Sequence, residues 1–223
     1  MKNRKWHDFY SKQVTLPEFI SWMNNRKNYL SVIIKLLQSG DKILEAGCGP
    51  GIDSIYLSHL NYKVKAVDNN KKVLELAKYH NDYFRGSVKF ILQDIFKLNF
   101  KKKEFKISFS QGVLEHFDVV KIKKALNEQL RVSDYVLFSI PSINMIKISS
   151  YSKSLGDENY WDIDKWLEII KNFKIIDYNG YGFDRFGRLM DKINRIIFKG
   201  RFKKFIIKHH APEFYFLITD KIL

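Results

Sequence analysis

The sequence predicts an α/β protein built on a mostly parallel sheet. Short apolar runs of strand type alternate along the chain with longer segments whose apolar residues recur at helical spacing. Such alternation requires crossovers between parallel strands, which are right-handed. Three closely spaced glycines follow the first apolar run, where a strand would turn into a helix. The 223 residues, 45% of them hydrophobic, are enough for one domain with a substantial core.

The glycine-rich stretch after the first strand predicts a ligand-binding loop. An apolar run ends at Glu45 and opens onto Gly47, Gly49 and Gly51. Residues without Cβ can adopt positive φ and let a ligand lie directly against the backbone. The helix that follows points unpaired N–H groups at the same place, which suits a carboxylate or a polar cofactor. A dinucleotide fold would need G-x-G-x-x-G, whereas this spacing is G-x-G-x-G.

Acidic residues also follow the second and third predicted strands. The run 62–67 ends at Asp68, about 20 residues beyond the glycine loop, and the run 88–92 leads to Asp94. An acid at the position of Asp68 can accept hydrogen bonds from both hydroxyls of a ribose. The alternative for Asp68 is a turn aspartate that needs no ligand.

Four motifs in this order resemble those of class I S-adenosylmethionine (SAM)-dependent methyltransferases. They are Glu45-x-Gly47-x-Gly49-x-Gly51, then Asp68, then Asp94-Ile95, then Ser110-Gln111-Gly112-Val113-Leu114-Glu115-His116-Phe117 after a fourth strand. The last motif is similar to the small-molecule branch of the family, and the resemblance covers roughly residues 40–142. It implies a Rossmann-like sheet of seven strands, mostly parallel with an antiparallel strand 7, and helices on both faces. It also implies SAM as cofactor and S-adenosyl-L-homocysteine (SAH) as product.

The resemblance also assigns roles to individual residues. Asp68 would bind the ribose, Asp94 the adenine amino group, and the backbone N–H of Ile95 the adenine ring. The full set of predicted cofactor-binding residues is Glu45, Gly47, Cys48, Gly49, Gly51, Asp68, Asn69, Asp94, Ile95 and Gln111. Cys48, the single cysteine, excludes an internal disulfide, and with no base paired to it we assign it no nucleophilic role.

His116 is the predicted catalytic base, because it follows the fourth strand on the side where an acceptor would enter and titrates near neutral pH. Its alternative role is to orient the loop or cap the next helix. Metal-dependent relatives carry Glu where this chain has Gln111, followed by Glu-His as at Glu115-His116. The missing carboxylate would be an oxygen ligand suited to Mg²⁺, so we expect no metal. Adenine N-methyltransferases carry an Asn/Asp-Pro-Pro-aromatic motif, which the run from Gln111 does not resemble.

The elements outside the motifs follow from periodicity. Residues 1–39 are predicted to be a helical segment that ends at Gly40 and acts either as a lid over the cofactor or as a cover on the sheet. Residues 40–223 are predicted to be the SAM-binding methyltransferase domain. Further helices are expected at 53–60, 70–79, 119–131 and 163–172, and further strands at 135–140, 173–178 and 214–219.

A long irregular stretch, 142–162, is predicted to form a wall of the acceptor pocket, because ligands bind at the carboxyl ends of parallel strands. The predicted pocket residues, including two from the N-terminal segment, are Tyr10, Trp22, Tyr151, Tyr160 and Trp161. The alternative for each aromatic residue is packing alone.

A basic helical insertion is predicted at about 183–211. Residues 185–210 contain nine Lys or Arg and only Asp191 as an acid, a local balance of +8 out of the chain's +15. Apolar residues recur there at positions 186, 189, 190, 193 and 197. Such a helix binds RNA, another phosphate-bearing substrate or an anionic membrane surface, or it packs on the body with a solvated basic face. The composition is rich in Lys, Ile and Asn throughout, so charge alone discriminates poorly.

The sequence therefore predicts a methyltransferase that modifies an O or N atom of a small or amphipathic metabolite. The alternatives are an RNA or tRNA methyltransferase that uses the insertion, and an inactive SAM-binding partner subunit. The sequence contains no uninterrupted apolar run of about 18 residues, so we expect no transmembrane helix. The basic N-terminus lacks the apolar region of a secretory signal. We expect a cytoplasmic protein, with peripheral membrane attachment as the alternative.

Overall fold

The structure is a computed structural model that describes residues 13–145, 158–183 and 185–221, and for residues 185, 186 and 221 the backbone only. Its elements in chain order are helix α1 (Leu16–Leu36), strand β1 (Lys42–Ala46), α2 (Ile52–Ser58), β2 (Lys63–Asp68), α3 (Lys71–Tyr83), β3 (Lys89–Leu92), β4 (Phe105–Gln111), a 3₁₀ turn (Leu114–His116), α4 (Val119–Val132), β5 (Ser133–Pro141), α5 (Ile163–Ile169), β6 (Phe173–Tyr181), α6 (Arg185–Ile196), α7 (Lys203–His210) and β7 (Glu213–Lys221).

The seven strands form one sheet in the order β3-β2-β1-β4-β5-β7-β6. Strand β1 is parallel to β2 and β4, β2 is parallel to β3, and β7 is antiparallel to β6. This order confirms the predicted seven-stranded sheet with an antiparallel last strand. The chain order reverses between β1 and β4, and open α/β sheets bind ligands at the carboxyl ends of the strands beside such a switch point.

Two predicted boundaries are wrong. Helix α1 does not end at Gly40: the chain leaves the helix at Leu37, which is extended, and Gly40 has φ +86° in the turn that leads into β1. The insertion contains two helices, α6 and α7, instead of one, because the chain turns between residues 197 and 202. In both places, apolar residues at helical spacing extend beyond the residue where the helix ends.

The chain divides into two compact units. The first comprises the described residues up to Gln111 together with Lys124–Leu137. In β1 the residues from Ile43 to Ala46 are all buried, as expected for a parallel strand covered on both faces. Helix α3 begins at the predicted cap Asn70, whose side chain accepts hydrogen bonds from two backbone N–H groups.

The second unit comprises Gly112–Lys123 and the described residues from Phe138 onward. Its core is aromatic: the ring of Phe138 stacks on Phe216 with centroids 5.2 Å apart, and Trp166 lies 6.1 Å from Phe138. All three side chains are buried. Within the described residues of both units, no helix is both long enough and apolar enough to cross a bilayer.

Candidate functional site

The glycine loop lies between β1 and α2 and is tied to the end of β2. Gly47, Gly49 and Gly51 have φ of +80°, +52° and +79°. The backbone N–H groups of Gly47 and Cys48 donate to the carbonyl of Val67 at 2.8 and 2.9 Å. The loop is therefore held at the carboxyl ends of two neighbouring parallel strands.

Gly51, the last glycine of the loop, lets α2 start close against its neighbours. A Cβ at this position would lie 2.7 Å from the ring of Phe90 and 3.2 Å from the Cβ of Ala77. No side chain fits there without displacing the aromatic ring. The motif's third glycine therefore serves packing as well as backbone conformation.

Two buried carboxyl groups, Glu45 and Asp53, lie behind the loop. Glu45 accepts a hydrogen bond from the hydroxyl of Ser54 at 2.5 Å, and Asp53 pairs through Oδ1 with Arg26 at 2.8 Å. The other oxygen of Asp53 is buried and, among the described residues, has no hydrogen-bond partner. Burial first, and then the charge of Asp53, raise the pKa of Glu45 well above its ordinary value, while Ser54 and Arg26 act in the opposite direction. Arg26 is paired with Asp53, and two neighbouring acids with one cation beside them suit a cationic ligand group.

The carboxylate of Asp68, at the end of β2, faces the loop. It accepts hydrogen bonds from the backbone N–H of Gly49 at 3.1 Å and of Asn70 at 2.9 Å. Desolvation raises its pKa, and these backbone hydrogen bonds oppose the shift. A carboxylate has about four acceptor positions, so both oxygens can accept further hydrogen bonds. The next residue, Asn69, is exposed.

The remaining predicted cofactor residues lie at the ends of β3 and β4 in the same unit. Asp94 is exposed two residues after β3 and accepts a hydrogen bond from the N–H of Phe96 at 2.9 Å, while Ile95 is buried. The N–H of Gln93 donates to the carbonyl of Asp68 at 3.1 Å. Gln111 is the half-buried last residue of β4. The first unit therefore brings the predicted cofactor residues to the ends of four adjacent strands.

Cys48 within the loop is buried and free of a disulfide. Burial first, and then the charges of Glu45 and Asp68, raise the pKa of its thiol well above the ordinary value. A neutral buried thiol is a poor nucleophile, which agrees with the interpretation from sequence.

The sequence analysis assigned Glu115 no role of its own, but the structure makes it a site candidate in the second unit. Glu115 is 3% exposed, and its Oε2 is buried with no hydrogen-bond partner in the described part of the chain. Burial is the main cause that raises its pKa well above the ordinary value, with the charges of Glu158 and Glu213 adding to it. His116 follows it, half-buried, at the end of the 3₁₀ turn. Buried acids with shifted pKa values occur preferentially at functional sites, which a sequence pattern alone does not reveal.

The chain around residue 159 is attached to this same loop. The backbone N–H and the side-chain amide of Asn159 donate to the carbonyl of Glu115 at 2.8 and 2.9 Å, and the amide also donates to the carbonyl of Phe117 at 2.9 Å. This attachment brings the segment that begins at Glu158 next to the residues after β4.

The predicted pocket residues are only partly brought together. Tyr160 and Trp161 are half-buried neighbours in the second unit, where Tyr160 donates to Glu158 and Trp161 packs against the core residue Trp166 with centroids 5.3 Å apart. Trp22 lies in the first unit, with the guanidinium of Arg26 4.9 Å from its ring centroid. Tyr10 and Tyr151 lie outside the described residues. No group of three or more described His, Cys, Asp or Glu residues is arranged to hold a metal ion.

Solved structures share this fold at low sequence identity. A protein of Pyrococcus horikoshii OT3, PH0226, superposes with a TM-score of 0.69 at 15% identity, covering 94% of each chain. Magnesium protoporphyrin IX methyltransferase from Synechocystis PCC 6803, solved with bound SAM, gives a TM-score of 0.62 at 15% identity, covering 97% of this chain and 90% of that one. These similarities establish the fold.

The family comparison adds the class of domain. Residues 43–134 match the family model described as a methyltransferase domain. This region of the chain is therefore similar to methyltransferase domains. The backbone donors and acids described above fit the charged amino acid group and the ribose of SAM.

A curated relative matches part of the chain. The ubiquinone biosynthesis O-methyltransferase of Pelagibacter ubique is 27% identical over 128 residues, which are 57% of this chain and 51% of that protein. This chain therefore matches about half the length of its curated relative.

Proposed function

We propose that the protein transfers the methyl group of SAM to an oxygen or nitrogen atom of a small or amphipathic metabolite. The observation that carries the proposal is the carboxylate of Asp68, which is fixed by the N–H groups of Gly49 and Asn70 beside the glycine loop. An acid in this position matches the two hydroxyls of a ribose. The name of the curated relative supports oxygen as the accepting atom.

Each predicted cofactor residue has a role in this proposal. SAM, when bound, supplies an electrophilic methyl group on a sulfonium. The backbone N–H groups of the loop, with Gly47, Cys48, Gly49 and Gly51, would hold its carboxylate. Glu45 and the oxygen of Asp53 that has no hydrogen-bond partner among the described residues would face its ammonium group. Asp68 and Asn69 would bind the ribose, and Asp94, Ile95 and Gln111 would line the adenine and methionine sides.

The acceptor-side residues act on the nucleophile. His116 would accept the proton from an oxygen or nitrogen nucleophile as its bond to the methyl carbon forms. Burial raises the pKa of Glu115, which favours its protonated form, and a protonated carboxyl could donate a hydrogen bond to the acceptor. Aromatic side chains would supply apolar contact area. The residues proposed for this part are Tyr10, Trp22, Tyr151, Tyr160 and Trp161.

RNA methylation through the basic insertion is a second candidate, favoured by the local charge of +8. A gel-shift series over salt concentration tests it. RNA binding that weakens steeply with salt would support this candidate, because released counterions dominate such binding. No binding at low salt would remove it.

The proposal is tested by incubating the protein with SAM labelled on the methyl group and an extract of small metabolites. We expect SAH release and label in the small-molecule fraction, both strongly reduced in Asp68→Asn. Turnover that is unchanged in His116→Gln would remove the base role. Protein that binds SAH but releases none with any extract would contradict the transfer reaction and favour the inactive partner subunit.

A further inference from the structure

The basic insertion forms a helical hairpin, residues 185–210, that presents an apolar stripe to solvent. Leu189, Ile193 and Ile196 lie on one face of α6 by their spacing of three and four residues. Leu189 is 53% exposed and Ile196 67%, and Ile197, just beyond the helix, is 65% exposed. The opposite face, with Gly187 and the 2% exposed Asn194, is the buried one. An amphipathic helix normally buries its apolar stripe, and α6 exposes it.

Aromatic residues extend this exposed apolar surface through the turn and into α7. Phe198, Phe202 and Phe205 are 44%, 45% and 58% exposed. The rings of Phe198 and Phe202 contact each other edge to face with centroids 5.0 Å apart. Six large apolar side chains exposed within 17 residues form a patch of the kind that marks an interaction surface.

The turn of the hairpin is fixed by Asn194. Its side-chain oxygen accepts a hydrogen bond from the N–H of Phe202 at 2.9 Å, and its carbonyl accepts from the N–H groups of Phe198 and Gly200 at 3.1 and 3.0 Å. These three hydrogen bonds to Asn194 therefore fix the backbone that carries the aromatic residues of the turn.

Helix α7 attaches the hairpin to the second unit. Ile206 and Ile207 are buried. Lys204 and Lys208 each pair with Asp164 at 2.5 Å. Two side chains hydrogen-bond to the backbone at the end of α7. The hydroxyl of Ser142 donates to the carbonyl of Ala211, and the side-chain amide of Asn144 donates to the carbonyl of Lys208. Because α7 already packs on the body, the exposed surface on α6 and the turn remains for a partner.

Cations flank the exposed apolar residues. Arg188, Lys192, Lys199 and Arg201 are all exposed. In the described chain, Lys192, Lys199 and Arg201 form no ion pair with an acidic side chain, whereas Lys203, Lys204 and Lys208 do. The cations beside the apolar stripe thus retain their charge for an external anion.

We propose that this hairpin binds the surface of an anionic lipid bilayer. Its aliphatic and phenyl side chains would enter the boundary of the acyl chains, while the basic side chains extend toward the phosphates. RNA would use the cations but leave Ile196 and Ile197 in water. A second copy of the chain would bring two hairpins of +8 charge together. The inference goes beyond the proposed methyl transfer and does not depend on it.

Vesicle co-sedimentation of the full chain tests the proposal, with phosphatidylcholine vesicles and vesicles containing about one third phosphatidylglycerol. We expect binding to the anionic vesicles that is about tenfold or more stronger than binding to the neutral ones, because each basic side chain near the surface is attracted to the anionic lipids. The apolar variant Ile196→Ser/Ile197→Ser/Phe198→Ser should lose about tenfold or more of this affinity. The charge variant Lys192→Gln/Lys199→Gln/Arg201→Gln should lose a similar amount and reduce the salt dependence.

A matched control replaces three apolar residues of the same unit that are exposed outside the hairpin. Val120→Ser/Ile143→Ser/Ile176→Ser alters side chains that are 78%, 47% and 46% exposed, and should leave vesicle binding unchanged. Circular dichroism and SAH affinity, unchanged in all variants, verify that each one is folded. At a salt concentration of about 50 mM, the attraction between basic side chains and anionic lipids is only weakly screened. The absence of binding to anionic vesicles under this condition would overturn the proposal.

Three other outcomes would also contradict it. Equal loss of binding in the control variant would show that general surface hydrophobicity is responsible. A dimer in size-exclusion chromatography that the apolar variant converts to monomer would make the hairpin a contact between copies. RNA binding that fails in the charge variant but persists in the apolar variant, without vesicle binding, would make it an RNA surface.

Discussion

The carboxylate of Asp68 has two oxygens that each accept one backbone hydrogen bond and keep capacity for more. Replacement by Asn keeps one acceptor oxygen and removes the charge. We expect Asp68→Asn to weaken SAH binding by about 10- to 100-fold, because hydrogen bonds to a charged acceptor contribute roughly 1.5–3 kcal/mol. Isothermal titration calorimetry measures the change.

The control for Asp68 is Asp82, an exposed acid on α3 in the same unit. Asp82→Asn makes the same change in net charge and should leave SAH affinity unchanged. Equal affinity of the wild-type protein and Asp68→Asn would contradict the ribose role.

Glu115 predicts a pH dependence of stability whose sign follows from its raised pKa. The folded protein binds the proton of the Glu115 carboxyl more tightly than the unfolded chain does. The contribution of the protonated carboxyl to the free energy of unfolding is therefore present below the ordinary pKa of about 4.5, and it is lost as the pH rises through the raised value. We expect Glu115→Gln to stabilise the protein near pH 8 by roughly 1–3 kcal/mol, the cost of a buried unpaired polar group. Urea unfolding at pH 5 and pH 8 measures it, and a variant less stable at both pH values would contradict the assignment.

At the scale of elements, His80 on α3 connects the N-terminal segment to the glycine loop. Its Nε2 accepts a hydrogen bond from the N–H of Val14 at 3.0 Å, and its Nδ1 lies 3.1 Å from the carbonyl of Pro50. Both contacts are satisfied by a neutral ring protonated on Nδ1. Arg26 forms a second connection from α1, through its ion pair with Asp53. Movement of α1 and the shape of the loop should therefore be coupled, which bears on the predicted lid.

His80 makes this connection sensitive to pH. Burial lowers its pKa, although the hydrogen bond with Pro50 opposes the shift. The folded protein therefore binds a proton on His80 less tightly than the unfolded chain does. The neutral ring stabilises the folded protein above the ordinary pKa of about 6.5, and this stabilisation is lost as the pH falls below that value. Protonated Nε2 cannot accept from Val14. Hydrogen exchange of residues 13–20, corrected for intrinsic rates, should increase between pH 7.5 and 5.5.

The variant His80→Gln tests this coupling, because an amide oxygen can replace the Nε2 acceptor without titrating. Its exchange in residues 13–20 should stay constant over the same pH range. A variant that keeps the wild-type increase would show that another group is responsible.

Gly51 and Gly40 form a matched pair for the packing of α2. Both have positive φ, +79° and +86°, but a Cβ at Gly51 meets Phe90 at 2.7 Å whereas one at Gly40 meets nothing within 4 Å. We expect Gly40→Ala to cost about 1 kcal/mol of unfolding free energy and Gly51→Ala about 2–4 kcal/mol, because overlap adds to backbone strain. Chemical denaturation measures both. Equal losses would mean that α2 shifts freely and that the close packing is unimportant.

Across the whole molecule, the sequence predicts those features that depend on local pattern. The ends of β1 and β2 follow from apolar runs and from the residues that close them, whereas the seven-stranded sheet with its antiparallel last strand was implied by the family resemblance. The connection of Arg26 to Asp53 joins residues 27 positions apart and has no local signature. Glu115 likewise looks like an ordinary loop acid until its burial is known.

For the hairpin, the sequence predicted the helical pattern but not which face of each helix is buried. Periodicity identified the apolar stripe of α6, including positions 189 and 193, but could not state whether that stripe packs against the rest of the second unit. The second helix, α7, carries the buried pair Ile206 and Ile207 instead, and so it forms the attachment. Which face of an amphipathic helix is buried depends on its neighbours in three dimensions.

Calorimetric titration of SAH into the purified, folded chain tests the central claim most directly. We predict saturable binding at one site per chain, and a rise in melting temperature with SAH that corresponds to about 2.7 kcal/mol when the ligand is at 100 times its dissociation constant. A folded protein that gives no heat and no thermal shift with SAH would contradict the assignment of the loop and its acids to this cofactor.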